Sequence, residues 1–324
     1  MKTFSATLAL LAITSQAFKE QRLEDMVLES DATNSTPSTG AADGIWTDHD
    51  WNNGEVGVTN GLPFGVSTDT ARKIQSPQVY LGQMASTYSD QANAILVGGI
   101  FTEDIFKAQF PLHKSTYTYK SFLQAVAKFP KFCNEVPEGS AQTLDEMCKM
   151  ELAALLAHIK YETASMLNVS QSGCNVSTEV KTSCDYYDET GETALIWDPY
   201  SGKQYYGRGA LMMQWNYNYG RFSDIAYSGG QFDKMDLLEN PGDVASDGYL
   251  AFASAVWEYM TPVSPMPSMH EAMTGFFVPN DWDTTNGIGD GFGTTINIIS
   301  SGTECNTGTG AESSAATARI SYYT

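Results

Sequence analysis

Thr143-Leu144-Asp145-Glu146, followed by Leu152, Leu155, Leu156 and Ile159, restricts the fold of this chain more than any other feature. A threonine three residues before a glutamate forms a capping box, which satisfies two backbone donors left open at a helix start. The apolar residues that follow recur at helical spacing and make one stripe, so the segment reads as a helix packed into a core. Glu162 lies three residues beyond Ile159 and seven beyond Leu155, a register that turns its carboxylate toward the buried side. A carboxyl group in apolar surroundings holds its proton more tightly than one in water. Glu162 is therefore a candidate proton donor.

Helical patterning begins at Gly98 and recurs along the chain. Thr102 precedes Glu103 and Asp104 as a cap followed by acidic first-turn residues that complement the helix dipole. Further helices are expected over Tyr119–Lys128, over Asp247–Met260 with Thr261-Pro262 as the stop, and over Ser313–Tyr322. Strand signals reduce to a short candidate at Gln204–Tyr206. The expectation is a mainly α protein with long functional loops.

The 324 residues, 42% of them hydrophobic, suffice for a substantial core. Lys2, the apolar run Phe4–Ile13 and the small residues up to Ala17 read as a signal peptide over 1–17, too short to anchor the chain in a bilayer. Residues 18–45 are acidic and rich in Ser, Thr and Gly, as in a flexible linker or pro-segment. Residues 46–96 scatter Trp46, Trp51 and Phe64 among Gly, Asn and Asp, an irregular N-terminal extension, and residues 97–324 form the main domain. A secreted, extracellular product is expected.

The net charge of −20 argues against nucleic acid or an anionic membrane as partner, since both require clustered Lys and Arg. Five cysteines in a secreted chain point to disulfides, with Cys133–Cys148 and Cys174–Cys184 as the local pairings and one thiol left over. Asn34, Asn168 and Asn175 each begin an Asn-x-Ser/Thr sequon. His158 and Glu162 are one helical turn apart, as zinc ligands can be, but there is no HExxH motif and the chain has four histidines in all. No metal and no cofactor is expected. Gly287, Gly289, Gly291 and Gly293 lack the Lys-Ser/Thr that a phosphate loop requires.

The run Gln204–Gly220 mixes aromatics, amides and glycines in a way that suits the wall of a sugar-binding cleft. Its Tyr205-Tyr206-Gly207-Arg208-Gly209 and Asn216-Tyr217-Asn218-Tyr219-Gly220 resemble the signature of the glycoside hydrolase family 19 chitinases. Tyr161-Glu162-Thr163 is similar to the family's His-Glu-Thr, with tyrosine in place of histidine. Gly291 to Cys305 resembles, without gaps, the family's Gly-Tyr-Gly to Glu-Cys segment, and Ala318-Arg319-Ile320 its Asp-Arg-Ile. The resemblance runs from Gly98 to Tyr323.

It implies a bilobal, lysozyme-like, mainly α fold with a substrate groove between the lobes. It also implies hydrolysis of β-1,4 bonds between N-acetylglucosamine units of chitin by an inverting mechanism, with Glu162 as general acid. A second carboxylate must activate water. The position nine residues beyond Glu162, used by bacterial-like members, is Gln171, which cannot act as a base. The longer loop offers Glu179, Asp185, Asp188, Glu189 and Glu192. Glu179 is chosen because it lies five residues before Cys184, the counterpart of a family cysteine. Tyr206, Gln214, Tyr217, Asn218 and Ser300 fall on substrate-binding positions, and Glu304 and Arg319 on a charge network that tunes the acid. In plant members the counterpart of Cys305 bonds to a cysteine in a C-terminal extension, which makes Cys305 the unpaired one here. Gly207 and Gly209 are expected in a tight turn.

Met212, Gln214 and Ser300 stand where the family usually has glutamine, serine and asparagine, and Met212 cannot replace an amide. Met266 likewise replaces a lysine common in plant members. Two rivals follow: a chitin-binding or wall-organising relative with impaired catalysis, and a hydrolase of a related polymer such as peptidoglycan. The partner expected is chitin or its oligosaccharides, and the expected state is a monomer.

Overall fold

The computed structural model describes residues 88–174, 184–187, 197–227, 236–262, 267–279, 281–285, 287–305 and 313–324. The signal peptide, the acidic segment and most of the N-terminal extension lie outside them. So do Asn34, Asn175, Glu179, Asp188, Glu189, Glu192 and Met266. Eleven helices are described: α1 (Ala92–Ile100), α2 (Glu103–Gln109), α3 (Tyr119–Lys128), α4 (Leu144–Glu162), α5 (Asn216–Tyr227), α6 (Asp243–Ser246), α7 (Gly248–Met260), α8 (Met269–Thr274), α9 (Asp281–Thr285), α10 (Phe292–Ile299) and α11 (Ser314–Tyr323).

The caps read at Thr102 and Thr143 act as expected: Thr102 accepts from Ile105 N, and Thr143 and Glu146 close the capping box of α4. Asp247 and Ser313, expected as first helical residues, are the caps of α7 and α11, accepting from Leu250 N and Ala316 N. Ser268 and Glu271 form a second box at α8. The expected strand at Gln204–Tyr206 is absent. Among the described residues, extended pairing consists of the isolated bridges Ser170–Arg208 and Arg208–Met213: the side chains of Arg208 and Tyr219 take the carbonyls of Gln204 and Tyr206, and Tyr205 pairs through its backbone, N to Asp185 O and O to Trp215 N.

Nearly every side of α7 is apolar, with Leu250, Phe252, Val256 and Tyr259 buried, and a helix of that kind belongs at the centre of a core. It packs against α3, α4, α5, α6 and α8. Phe252 meets Phe122 of α3 and Tyr117 just before it in tilted and edge-on ring contacts. Buried Asn93 of α1 donates to the carbonyls of Val126 and Phe129, satisfying acceptors left open at the end of α3. In the stripe of α4, Leu152, Leu155 and Ile159 are buried and Leu156 is partly so, and α11 packs against α4. Cys133 pairs with Cys148 and Cys174 with Cys184, the two local pairings expected from the sequence.

One buried ionic cluster fastens α8 to α4. Glu151 is fully buried, accepts Cys133 N at 3.0 Å and lies 2.6 Å from His270 Nδ1, and His270 Nε2 lies 3.5 Å from Glu135. Burial by itself lowers the His270 pKa, but Glu151 and Glu135 overcome it and raise it to about 9. Unfolded, the imidazole titrates near about 6.5. The folded state therefore binds this proton more tightly, and its contribution is complete below the unfolded value and lost as pH rises through about 9. Melting temperature should fall between those two pH values by the equivalent of about 3 kcal/mol at most, and His270→Gln should flatten that part of the curve. An equally steep curve in the variant would assign the loss to other groups.

Candidate active site

Thr163 ends α4 at Glu162. Its hydroxyl donates to Ile159 O at 2.5 Å and accepts from Met166 N at 2.7 Å, and Ala164, Ser165 and Met166 then take positive φ, reversing the chain. Glu162 thus occupies the last turn of the helix, partly exposed, where the apolar stripe opens to solvent. Arg319, fully buried on α11, faces it. Nε of Arg319 donates to Glu304 Oε2 at 2.9 Å, and Nη2 donates to Glu304 Oε1 at 3.0 Å and also to Glu162 Oε1. Nη1 lies 3.3 Å from His158 Nδ1, and the Tyr161 ring covers the guanidinium at 4.1 Å. Burial lowers the Arg319 pKa, and the two carboxylates more than reverse it, so the guanidinium stays charged.

Besides the apolar stripe, a cation meets one of the oxygens of Glu162. Arg319 divides its bonds between two carboxylates, Glu162 and Glu304. The planar fork of guanidinium to Glu304 is the stronger pairing by geometry, since it makes two parallel bonds. Ser300, expected to face a ligand, accepts Glu304 N at 3.3 Å from the end of α10 and so helps to hold Glu304. Sequence reasoning missed Tyr161 as the cover of Arg319. The one visible signal was its place beside Glu162.

The reversal after α4 carries the chain alongside the aromatic–amide run. Gln171 N donates to Gly207 O at 2.7 Å and Gly209 N to Val169 O at 3.0 Å, which places the run beside the end of α4. Arg208 is the strut of this segment: buried, it stacks on Tyr206 at 3.6 Å and donates to Gln204 O, Tyr206 O and Tyr219 Oη. Gly209 takes φ 81°, as the expected tight turn demands. Trp215 ends the turn and α5 begins at Asn216, inside the signature, where polar residues hide the helical period from a pattern search.

Tyr217 stacks on Trp215 with ring centroids 5.9 Å apart and is buried, as is Tyr206. Gln214 and Asn218 are partly exposed, and Asn218 Nδ2 donates to Gln214 O at 2.8 Å. Gln171 joins them: its Oε1 accepts from Gly207 N at 3.2 Å and lies 3.4 Å from Gln214 Nε2, and its Nε2 donates to Tyr186 Oη at 3.1 Å. Asp185, one of the acids considered beyond Glu162, accepts Gln204 Nε2 at 2.8 Å. The chosen second carboxylate, Glu179, lies outside the described residues. The described residues hold no cluster of three His, Cys, Asp or Glu suited to a metal. None of their helices is long and apolar enough to cross a membrane.

Residues 67–324 match the sequence model of glycoside hydrolase family 19, described as chitinase class I. Endochitinase A2 of Pisum sativum is 36% identical over 216 residues, which cover 65% of this chain and 60% of that protein. Chitinase 1 of Oryza sativa subsp. japonica is 37% identical over 217 residues, covering 65% of this chain and 61% of that protein. The chain therefore spans about three fifths of the length of these relatives. Chitinase C from Streptomyces griseus HUT6037 superposes with a TM-score of 0.50 at 27% identity, covering 69% of this chain and 74% of that one. The mainly helical, lysozyme-like architecture expected from the sequence is the fold of this chain.

Proposed function

We propose, since the chain belongs to the chitinase class I family of glycoside hydrolase family 19, that it hydrolyses the β-1,4 bonds of chitin with inversion, Glu162 donating the proton to the glycosidic oxygen. The observation that carries this reading is the junction of Glu162, Arg319 and Glu304 at the end of α4, beside the turn that presents Gln214 and Asn218. A carboxyl group that must hold a proton and then release it is suited by a neighbouring cation whose charge is already committed to a second carboxylate.

The second catalytic group is Glu179 in this reading, the base that activates the attacking water. Inversion needs the two carboxyl groups roughly 6.5–9.5 Å apart, leaving room for the attacking water. The exposed faces of Gln214 and Asn218 bond the N-acetyl and hydroxyl groups, and Tyr206 and Tyr217 line the groove as rigid aromatic support. Ser300 is a substrate-binding position in this reading, its hydroxyl accepting Glu304 N while keeping a hydrogen to donate. The protein is secreted and acts as a monomer, without metal or cofactor.

The purified chain is expected to cleave chitin hexasaccharide and release the α-anomer, followed by proton NMR within the first minutes. Release of the β-anomer would replace inversion by retention. Binding without cleavage would favour the second reading, a chitin-binding relative with impaired turnover. Gln171 motivates that alternative, since its amide is fixed by Gly207, Gln214 and Tyr186 at a position where a carboxylate would serve as base.

A further inference from the structure

His158 takes no part in the chemistry above, yet it is fully buried against the charged junction. It lies one helical turn before Glu162, on the same face of α4. Its Nε2 is 2.8 Å from Thr295 Oγ1 on α10. The Thr295 hydroxyl already donates to Phe292 O at 2.7 Å, so its oxygen is left to accept and Nε2 must carry the hydrogen. Nδ1 then presents a lone pair to Arg319 Nη1 at 3.3 Å, and a guanidinium can only donate. Both contacts hold only for a neutral imidazole. Burial, followed by the charge of Arg319, keeps the His158 pKa well below the ordinary histidine value.

We propose that His158 is a positioning residue for the acid: its Nδ1 anchors the third nitrogen of Arg319, so that Nη2 stays shared between Glu162 and Glu304. The proposal rests on the reading of Glu162 as the proton donor. With Nε and Nη2 forked on Glu304 alone, the guanidinium can pivot about that fork, whereas a third anchor at Nη1 fixes its plane. Phe292 stacks on His158 at 5.0 Å and Tyr323 on Phe292 at 4.2 Å, which locks the imidazole from the α10 and α11 side. The charged and titratable groups around it are Tyr161 and Glu162 on α4, Arg319 and Tyr323 on α11, and Glu304 in the turn after α10. Lys160 and Tyr322 pair with each other at 5.0 Å at the outer edge.

Neutrality has a consequence for turnover. A second cation beside Arg319 would favour ionised Glu162 when the acid must carry its proton. Loss of the imidazole acts in the same direction. Nη1 is then left without this acceptor, and the guanidinium charge is drawn toward the two carboxylates.

The test compares wild type with His158→Ala, His158→Asn and Thr295→Val on chitin hexasaccharide, as kcat and KM across pH, with melting temperatures in parallel. Asn can place Oδ1 where Nδ1 was and accept from Nη1. His158→Ala should lower kcat about 10- to 100-fold, with KM within about threefold, and move the alkaline limb of kcat to lower pH by about one unit. His158→Asn should recover most of the loss, and Thr295→Val should fall between. Equal loss in Ala and Asn with the alkaline limb unmoved would leave His158 as packing alone and overturn the proposal. If wild type does not cleave the oligosaccharide, the chitinase reading fails separately, and imidazole 15N NMR still decides the positioning claim. His158 must show the Nε2–H tautomer and stay neutral at pH values where an ordinary histidine is protonated. A proton on Nδ1, or ordinary titration of that ring, refutes it.

Discussion

Glu162→Gln is expected to reduce kcat on chitin hexasaccharide by about 10³-fold, while KM changes by no more than a few-fold. Glutamine has nearly the same shape, and its Oε1 can still accept from Arg319 Nη2, so the α4–α11 junction survives. What it cannot do is donate a proton to the leaving oxygen at any pH. The loss therefore falls on the chemical step, and the melting temperature should stay within about 2 °C of wild type, a margin of less than ~1 kcal/mol. Binding of the hexasaccharide by titration calorimetry should persist. Retention of a tenth or more of wild-type kcat would remove Glu162 from the acid's role and return attention to the acidic loop beyond Cys174.

Gly248→Ala should destabilise the protein by about 3 kcal/mol, lowering its melting temperature by roughly 6–12 °C. Helix propensity predicts the opposite sign. Gly248 is the first residue of α7, and glycine in a helix is normally worse than alanine by about 0.5–1 kcal/mol. In the fold, however, a Cβ on Gly248 would fall inside the carbonyl oxygen of Thr116 and come within 2.8 Å of Ser121 Oγ. A backbone carbonyl cannot swing aside as a side chain can, so α7 would have to back away from α3, the pair that makes the centre of the core. Gly99 in α1 supplies the control: no atom lies within 4 Å of its would-be Cβ, and it is exposed. Gly99→Ala should gain about 0.5–1 kcal/mol. Two glycine-to-alanine changes of like sign in thermal melts would contradict this reading of the α7–α3 contact.

Much of the helical framework could be read from local chemistry. The caps at Thr102, Thr143, Asp247 and Ser313 bond within three residues of themselves, so no distant partner is needed to recognise them. The stripe of α4 and the apolar run of α7 announce burial in the same way. Less legible were α5, α8, α9 and α10. They are short or rich in glycine, threonine and amides, and tertiary packing holds them where propensity alone would not. The first helix begins at Ala92, six residues before the pattern at Gly98, because Asn93 is ordered by carbonyls of α3 that lie over thirty residues away.

At the candidate site the division is sharper. The sequence placed Glu162 at the end of a buried stripe and, by resemblance, gathered Glu304 and Arg319 near it, and it paired four of the five cysteines. It could not show that Arg319 forks on Glu304, that Ser300 serves Glu304, or that Arg208 braces its own loop. Nor could it show His158 as a neutral acceptor, since that depends on Thr295, 137 residues distant. Helix ends and stripes are fixed by neighbours three and four positions away, which a sequence displays. Who shares a guanidinium, and which tautomer a buried ring adopts, depends on side chains brought together by the packing of α4, α10 and α11, and only the tertiary structure decides it.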